Sequence, residues 1–388
     1  MKKKLKVIIV VTAPYVVRYH LPNILKRLPN DFEVCVVGQG VLEFQDQFPN
    51  IQWIDCNIER KIHFISDLLA LLFLCRLFTL HRPDILHSLM PKAGLLASIA
   101  GFICRVPTRI HTFTGQVWAT KSGFTRIIFR AADQLINLLN SVCLTDSPSQ
   151  SEFLLKNKIT HLGRALPVLS KGSLSGVDIS RFNLDGVAEQ ANQLRIKLKI
   201  DKEKFVFSYI ARKTIDKGAI DMLKAFSSVS VASKNVVLLF IGPDEDGEVE
   251  RLRDMNPVMF ENVIEFGHVS NHEVYLAITD VLCLPSHREG FGSIVIDAAA
   301  MGVPTIGSCI PGLTDSVIDK KTGLLFPAGN LDEMVKLMFS VIENPDWLQI
   351  LGDCAKARVD EFFTADQLYS ALKELYSGGE ASNRILSH

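Results

Sequence analysis

Net charge is the first thing this sequence lacks: 42 lysines and arginines are balanced by 42 aspartates and glutamates in 388 residues. A protein built mainly to hold nucleic acid draws its affinity from neutralising phosphates, so the balance argues against a nucleic-acid partner. Paired cysteines are lacking too. All eight (Cys35, Cys56, Cys75, Cys104, Cys143, Cys283, Cys309 and Cys354) stand singly, with no C-x-x-C and no short ligand spacing. They read as reduced core thiols of a cytosolic protein. Nor is there an apolar run of the roughly 20 residues that span a bilayer. The most hydrophobic stretch, Phe64 to Leu80, is interrupted by Asp67 and Arg76, so no transmembrane helix is expected. Lys2 to Lys4 followed by Leu5 to Val11 resembles the start of a secretory signal, but no small-residue cleavage site follows and the run reads as a first buried strand.

Missing motifs narrow the chemistry further. A dinucleotide fingerprint would place G-x-G-x-x-G directly after the first strand, where the sequence reads VVTAPYVVRYHLP without a glycine. There is also no G-x-x-x-x-G-K-[ST] phosphate loop, no G-x-S-x-G elbow and no H-E-x-x-H helix.

What is present is an alternation of short β-branched runs with segments of helical period. LKVIIVV, FEVCVVG, IQWIDC, PDILHS and VCLTDS mark strands in the first half, and 162–170 reads as one more. A second set begins at FVFSYIA and continues through VVLLFIG, NVIEFG, VLCLP, PTIGS and GLLFP. Such alternation implies parallel sheets covered by helices, in an α/β chain of two Rossmann-like domains facing each other across a cleft. The expected domains are 1–170 and 171–361, divided at the polar segment KGSLSGVD. A helix at about 362–380 is expected to pack back on the first domain, and the last dozen residues to fray.

Ligands of open α/β sheets sit at the carboxyl ends of the strands. There, FVFSYIA runs into ARKTIDKG, placing Arg212 and Lys217 just before an amphipathic helix, where two cations and free helical N–H groups suit a diphosphate. Alone, such a pair reads more readily as a solvated face. It is joined by LPSHREGFGSIVIDAAAMGVPTIG, a strand, a loop with Gly290 and Gly292, and a helix. Glu289 on the loop can accept from sugar hydroxyls, and Asp297, two turns into the helix, from a ribose diol. The plainer reading, a capping carboxylate and a surface charge, conflicts with the apolar character of Ile294 to Ile296 and Ala298 to Ala300. His268 and His272 are four apart but lack a third ligand, and Asp244 to Asp246 reads as a charged turn, so no metal is assigned.

These segments, with IGPDEDGEVERL, EFGHVSNHEVYLAITD and IPGLTDSVIDKKTGLLFP, resemble retaining glycosyltransferase family 4, a GT-B fold family, and especially bacterial enzymes of surface-polysaccharide assembly acting on lipid-linked oligosaccharides. PDILHSLMPKAGLLASIAG and VPTRIHTFTGQVWATKSG resemble the family more loosely. The resemblance implies Arg212 and Lys217 as the diphosphate clamp and Glu289 as donor-sugar ligand. It implies main-chain contacts from Gly290, Phe291, Gly292 and Ser293, and a nucleobase facing the backbone at Gly267 to Val269. Asp297 stands where the family's E-x7-E pattern has its second glutamate. The implied reaction retains configuration, needs no metal and no cofactor beyond a UDP-sugar co-substrate, and uses the leaving phosphate as base. His111 is the candidate for contact with the donor sugar and His87 a second, each with a core histidine as the alternative; the family's His-Gly step falls on Thr114 and Gly115.

On the acceptor side, APYVVRYHLP offers Arg18 and His20, and Arg18 with Lys92 suits an acceptor phosphate. VWATKSGFTRIIFRAA mixes Trp118, Phe124 and Phe129 with Lys121, Arg126 and Arg130, as either an anionic-membrane interface or a core helix with a basic outer face. The expected protein is a cytoplasmic enzyme, peripheral on the inner membrane face, moving an N-acetylated aminosugar from UDP to a polyprenyl-diphosphate-linked acceptor. Its rivals are a UDP-sugar epimerase on the same fold and an inactive nucleotide-sugar-binding subunit.

Overall fold

The computed structural model describes residues 3–59, 62–160 and 163–378. The chain divides into two compact units, Met1–Gly176 with Ala365–His388, and Val177–Thr364.

Unit 1 holds strands β1 (Lys6–Val10), β2 (Glu33–Gly38), β3 (Gln52–Asp55), β4 (Ile85–Leu89), β5 (Thr108–Phe113) and β6 (Val142–Thr145). All pair in parallel in the order β3-β2-β1-β4-β5-β6, as crossover connections require. Three short helices, α1 (Pro14–His20), α2 (Pro22–Leu25) and α3 (Leu28–Asp31), link β1 to β2. The longer α4 (Phe64–His81), α5 (Pro91–Ile103) and α6 (Gly123–Leu139) link the strands from β3 to β6, and α7 (Pro148–Lys156) follows. Val7, Ile9, Val34 and Val36 build the core on one sheet face, while Ile8, Val10, Cys35 and Val37 build it on the other, the period of two expected of strands covered on both sides.

Unit 2 holds α8 (Leu184–Lys197), β7 (Phe205–Ile210), α9 (Ala219–Ala232), β8 (Val236–Ile241), α10 (Glu248–Met255), β9 (Val263–Phe266), α11 (His272–Leu276), β10 (Val281–Leu284), α12 (Ser293–Ala300), β11 (Thr305–Ser308), α13 (Leu313–Ser316) and β12 (Gly323–Phe326). Its sheet order is β12-β11-β10-β7-β8-β9, again parallel throughout. Helices α14 (Leu331–Glu343) and α15 (Pro345–Phe362) complete it, and α16 (Ala365–Tyr376) belongs to unit 1, where Leu368, Leu372, Leu375 and Tyr376 join the core around Phe32.

Four expectations need correction. The strand of unit 1 that was not expected is β5, Thr108–Phe113, whose Arg109, His111 and Thr112 hide it from a hydrophobicity reading; 163–170 forms no strand and contributes one bridge, Val168 to Thr145, with 162 outside the described residues. Asp297 is the fifth residue of an eight-residue helix, in its second turn, rather than two turns in. Cys309 is exposed and not a core thiol. Phe64–His81 is one unbroken helix of eighteen residues, because Asp67 and Arg76 interrupt its composition but not its backbone; it is long and apolar enough to cross a membrane by length and composition alone, and most of it is not buried. The tail expected after Tyr376 lies, from 379 onward, outside the described residues.

Candidate functional site

The polar groups of unit 2 gather on two loops at the carboxyl edge of its sheet. One follows β7 and carries Arg212, Asp216 and Lys217; the other follows β10 and carries His287, Arg288 and Glu289. They touch so closely at Gly218 that a Cβ there would stand 1.9 Å from the Pro285 carbonyl oxygen. Gly218 also has φ +71°, the left-handed region that glycine adopts without strain.

Two ion pairs lock the loops in parallel. Lys217 Nζ lies 2.7 Å from Glu289 Oε1, and Arg288 Nη2 lies 2.7 Å from Asp216 Oδ2. Neighbours on one loop therefore pair with neighbours on the other. The Ser286 hydroxyl also donates to Glu289 Oε1 at 2.9 Å, and the His287 N–H to the Asp216 carbonyl at 2.9 Å. Burial pushes Asp216 up, but the Thr214 hydroxyl and the Arg288 and Lys217 charges outweigh it and hold the carboxyl at about 2. His287 Nε2 faces Asp221 Oδ2 at 2.9 Å, from the first turn of α9.

Arg212 reaches away from this lock to Glu245 Oε2 at 2.7 Å. The other carboxylates of that acidic turn accept from backbone: Asp244 from Gly247 and Glu250, and Asp246 from Ile215. The turn thus caps a helix and braces the Arg212 loop. Gly292, at φ +79°, opens α12, with Ser293 as its first residue. A Cβ on Gly312 would stand 2.4 Å from the Gly290 carbonyl oxygen, so the glycine loop is packed from behind. Phe291 is core, 5.3 Å from the Phe363 ring, which leaves its main chain for contacts. Asp297 Oδ2 meets His272 Nε2 at 3.3 Å, and the His272 ring packs 5.2 Å from Phe182. His272 opens α11 while His268 precedes it, so the two do not share a helix face. Val269 is half-buried against the core around Tyr275, beside the open backbone of Gly267.

The candidates in unit 1 fare differently. His111, which is 1% exposed, bonds Ser88 Oγ through Nδ1 at 2.9 Å and lies against Gly94, where a Cβ would stand 2.3 Å from the ring. Burial, with His87 nearby, pulls it down to about 3, which fits the core-histidine alternative. His87 is held in the same way: Nδ1 bonds the Tyr376 hydroxyl at 2.6 Å and Nε2 the Thr112 hydroxyl at 2.8 Å, and burial pulls it to about 4. Both ring nitrogens are used in tying α16 to the sheet. Arg18 pairs with Glu43 at 3.0 Å on the surface, His20 is half-buried at the end of α1, and Lys92, near the start of α5, pairs with Asp67 at 2.5 Å. Arg18 and Lys92 thus each face a carboxylate, which any acceptor phosphate must displace.

Trp118 and Phe129 do not reach an interface. Trp118 is 1% exposed, its Nε1 donates to the buried Asp133 at 2.7 Å, and Arg126 and Arg130 stack over it at 5.5 and 5.6 Å. Phe129 is half-buried against the same cluster. Asp216, Asp221, His287 and Arg288 escaped the sequence reading, and His272 was weighed there only with His268; Asp216 and Arg288 adjoin motif residues of opposite charge, a signal that was available.

Residues 190–358 match the family model described as glycosyl transferases group 1. The chain is 31% identical over 379 residues to the capsular polysaccharide biosynthesis glycosyltransferase CapM of Staphylococcus aureus, covering 92% of this chain and 96% of that one. The chain therefore belongs to the group 1 glycosyltransferases. It is 23% identical over 326 residues to the UDP-Gal:alpha-D-GlcNAc-diphosphoundecaprenol alpha-1,3-galactosyltransferase of Escherichia coli, covering 82% of this chain and 81% of that one. Among solved structures, Anabaena Alr3699/HepE in complex with UDP and glucose superposes with a TM-score of 0.79 at 18% identity, over 96% of this chain and 99% of that one. That likeness shows the GT-B fold.

Proposed function

We propose that this glycosyltransferase moves a sugar, an N-acetylated aminosugar, from a UDP-linked donor to a polyprenyl-diphosphate-linked acceptor during assembly of a bacterial surface glycan. The observation that carries the reading is the lock between the two loops, which holds Lys217 and Glu289 2.7 Å apart beside the glycine loop that opens α12. A diphosphate arriving there exchanges with Glu289 for the Lys217 charge and with Glu245 for the Arg212 charge. The released Glu289 carboxylate then accepts from sugar hydroxyls. Charge growing on the leaving phosphate is met by two cations already in place, which is where most of the rate arises and why the proposal includes no metal. Retention follows when the leaving phosphate takes the proton of an acceptor hydroxyl attacking from its own face, with orientation supplying the rest. The names of two relatives, a capsular polysaccharide enzyme and a diphosphoundecaprenol-linked galactosyltransferase, support the acceptor class.

The test incubates the purified protein with UDP-N-acetylhexosamines and a short synthetic polyprenyl-diphosphate sugar, with and without EDTA. Product mass and anomeric coupling are then read. A disaccharide product of retained configuration that survives EDTA is expected. Conversion of the UDP-sugar without acceptor would identify an epimerase, and nucleotide binding without any turnover an inactive subunit.

A further inference from the structure

Apart from the two locked loops, one more carboxylate stands at the carboxyl edge of the unit 2 sheet. Helices α11 and α12 follow β9 and β10 of one parallel sheet, so their first turns lie at the edge that carries Arg212, Lys217 and Glu289. His272 is the first residue of α11 and Asp297 the fifth of α12. Asp297 sits among the buried Val295, Ile296, Ala298 and Ala300, and its side chain is 19% exposed. A carboxylate in such surroundings needs partners. Among the described residues its side chain has one, the His272 ring, with Nε2 3.3 Å from Oδ2. Oδ1 is left to accept from something else.

The imidazole is itself held. Its ring packs 5.2 Å from the Phe182 ring, and Nδ1 faces Arg181 Nη2 at 3.5 Å. Arg181 is anchored in turn by residues on either side of His272: it donates to the Ser270 carbonyl at 2.7 Å and pairs with Glu273 Oε2 at 2.6 Å. A guanidinium only donates and a carboxylate only accepts, so one tautomer suits both neighbours, with Nδ1 bare toward Arg181 and the proton on Nε2 toward Asp297. His272 thereby fixes which oxygen of Asp297 is used within the protein. Side-chain length gives the pairing a purpose: Asp297 stands where the E-x7-E pattern has its second glutamate, and it is one methylene shorter. A short carboxylate has less reach with which to find a ligand, and one already ordered loses less freedom when the ligand arrives. A staple between two helices is the plainer role, and a staple would not distinguish one ligand from another.

We propose that His272 is a positioning residue for the donor: it holds Oδ2 of Asp297 so that Oδ1 accepts from a ribose hydroxyl, and it thereby makes the site prefer a ribonucleotide to its deoxy form. His272 acts through Asp297 and touches no reacting atom. This role rests on the UDP-linked donor proposed above, and adds to it the group that orients a carboxylate too short to orient itself.

The test measures calorimetric dissociation constants of the full chain for UDP and for its 2′-deoxy and 3′-deoxy forms. The variants are His272→Phe, which keeps a ring against Phe182 but has no N–H, and His272→Gln, which can present an N–H to Asp297; His272→Ala replaces the first if the phenyl ring prevents folding. The wild type is expected to favour UDP over one deoxy form by about tenfold, the scale of one hydrogen bond to a charged group. His272→Phe should weaken UDP by about that factor and leave that deoxy form nearly unchanged, which erases the preference, while His272→Gln restores part of it. With a UDP-sugar and acceptor, KM should rise in His272→Phe and kcat stay within about twofold. In an Asp297→Glu background, where the longer carboxylate needs less guidance, His272→Phe should cost less than about threefold. A folded His272→Phe that keeps the wild-type preference overturns the proposal. So does a parallel loss of UDP and both deoxy forms with a lowered melting temperature, which marks a brace of the fold. No UDP binding by the wild type would sink the donor reading and this role with it, whereas UDP binding with an unchanged preference sinks this role alone.

Discussion

Both units wind six parallel strands in one pattern, since β9-β8-β7-β10-β11-β12 repeats the order β3-β2-β1-β4-β5-β6, yet they place their polar side chains in opposite ways. Unit 1 hides two of its histidines: His87 and His111 are hydrogen-bonded and sealed in the sheet, where burial lowers both. Unit 2 sets His272 and His287 against carboxylates near its surface and gathers charge at the strand ends. One topology therefore yields a scaffold in one copy and an ionic lock in the other. What separates them is which side chains the loops at the strand ends carry, not the winding of the strands.

Removing a charge proposed to meet the donor should have the largest effect. Glu289→Ala or Arg212→Ala is expected to cost about a thousandfold or more in transfer, the scale of lost transition-state charge stabilisation, with the melting temperature nearly unchanged. By contrast, His111→Asn should retain most transfer and lose stability. A catalytic loss in a well-folded His111→Asn, matching that of Glu289→Ala, would reverse the comparison and return the chemistry to unit 1.

Next in size is the seam between the loops. Gly218→Ala places a methyl group against the Pro285 carbonyl in a left-handed backbone, and roughly 2 to 4 kcal/mol of stability should be lost. Denaturant midpoints measure it, and a neutral result would show that the loops separate easily. Asp216→Asn sharpens the same point, because it removes the charge that holds Arg288 but touches no proposed substrate atom. About a tenfold fall in kcat is expected, with UDP affinity changed less, and Asp216→Glu should restore part of it. Equal loss in both quantities would mean that the aspartate merely stabilises the fold.

The smallest effects are in pH, and the two signs differ within unit 1. His87 and His111 have folded values below their ordinary one, at about 4 and 3. Their share of stability is thus complete above the unfolded value near 6.5 and declines as pH falls through that region. Asp133 is opposite: burial raises it to about 7 against the Trp118 hydrogen bond, so the folded state holds a proton that the unfolded state has released. Stability then declines as pH rises from about 4 to 7. Melting curves across this range should show Asp133→Asn flattening the upper limb and His111→Asn the lower.

Much of the fold was legible because eleven of the twelve strands are runs of apolar and β-branched residues between helical segments. The twelfth, β5, was not, because its polar residues are satisfied by partners distant in sequence: His111 by Ser88, and Thr112 by His87. In the candidate site, Arg212, Lys217 and Glu289 could be found from local spacing. The pairing of Asp216 with Arg288 could not, since the partners are brought together by the adjacency of β7 and β10. His87 and His111 were ambiguous for the complementary reason. A histidine at the end of a strand looks the same in sequence whether it faces a ligand or a hydroxyl of the next strand.

The placement of α16 has a consequence for the order of synthesis. Unit 2 is a continuous stretch, Val177–Thr364, and its core is complete before α16 leaves the ribosome. The first unit, although translated earlier, cannot cover Phe32 or satisfy both nitrogens of His87 until Tyr376 arrives. The nascent chain therefore carries an open first sheet through all but the last part of its translation, even after the second unit is complete. The element most exposed to chaperones and proteases during biogenesis is the groove that α16 closes, in the unit whose β1 to β6 emerge first.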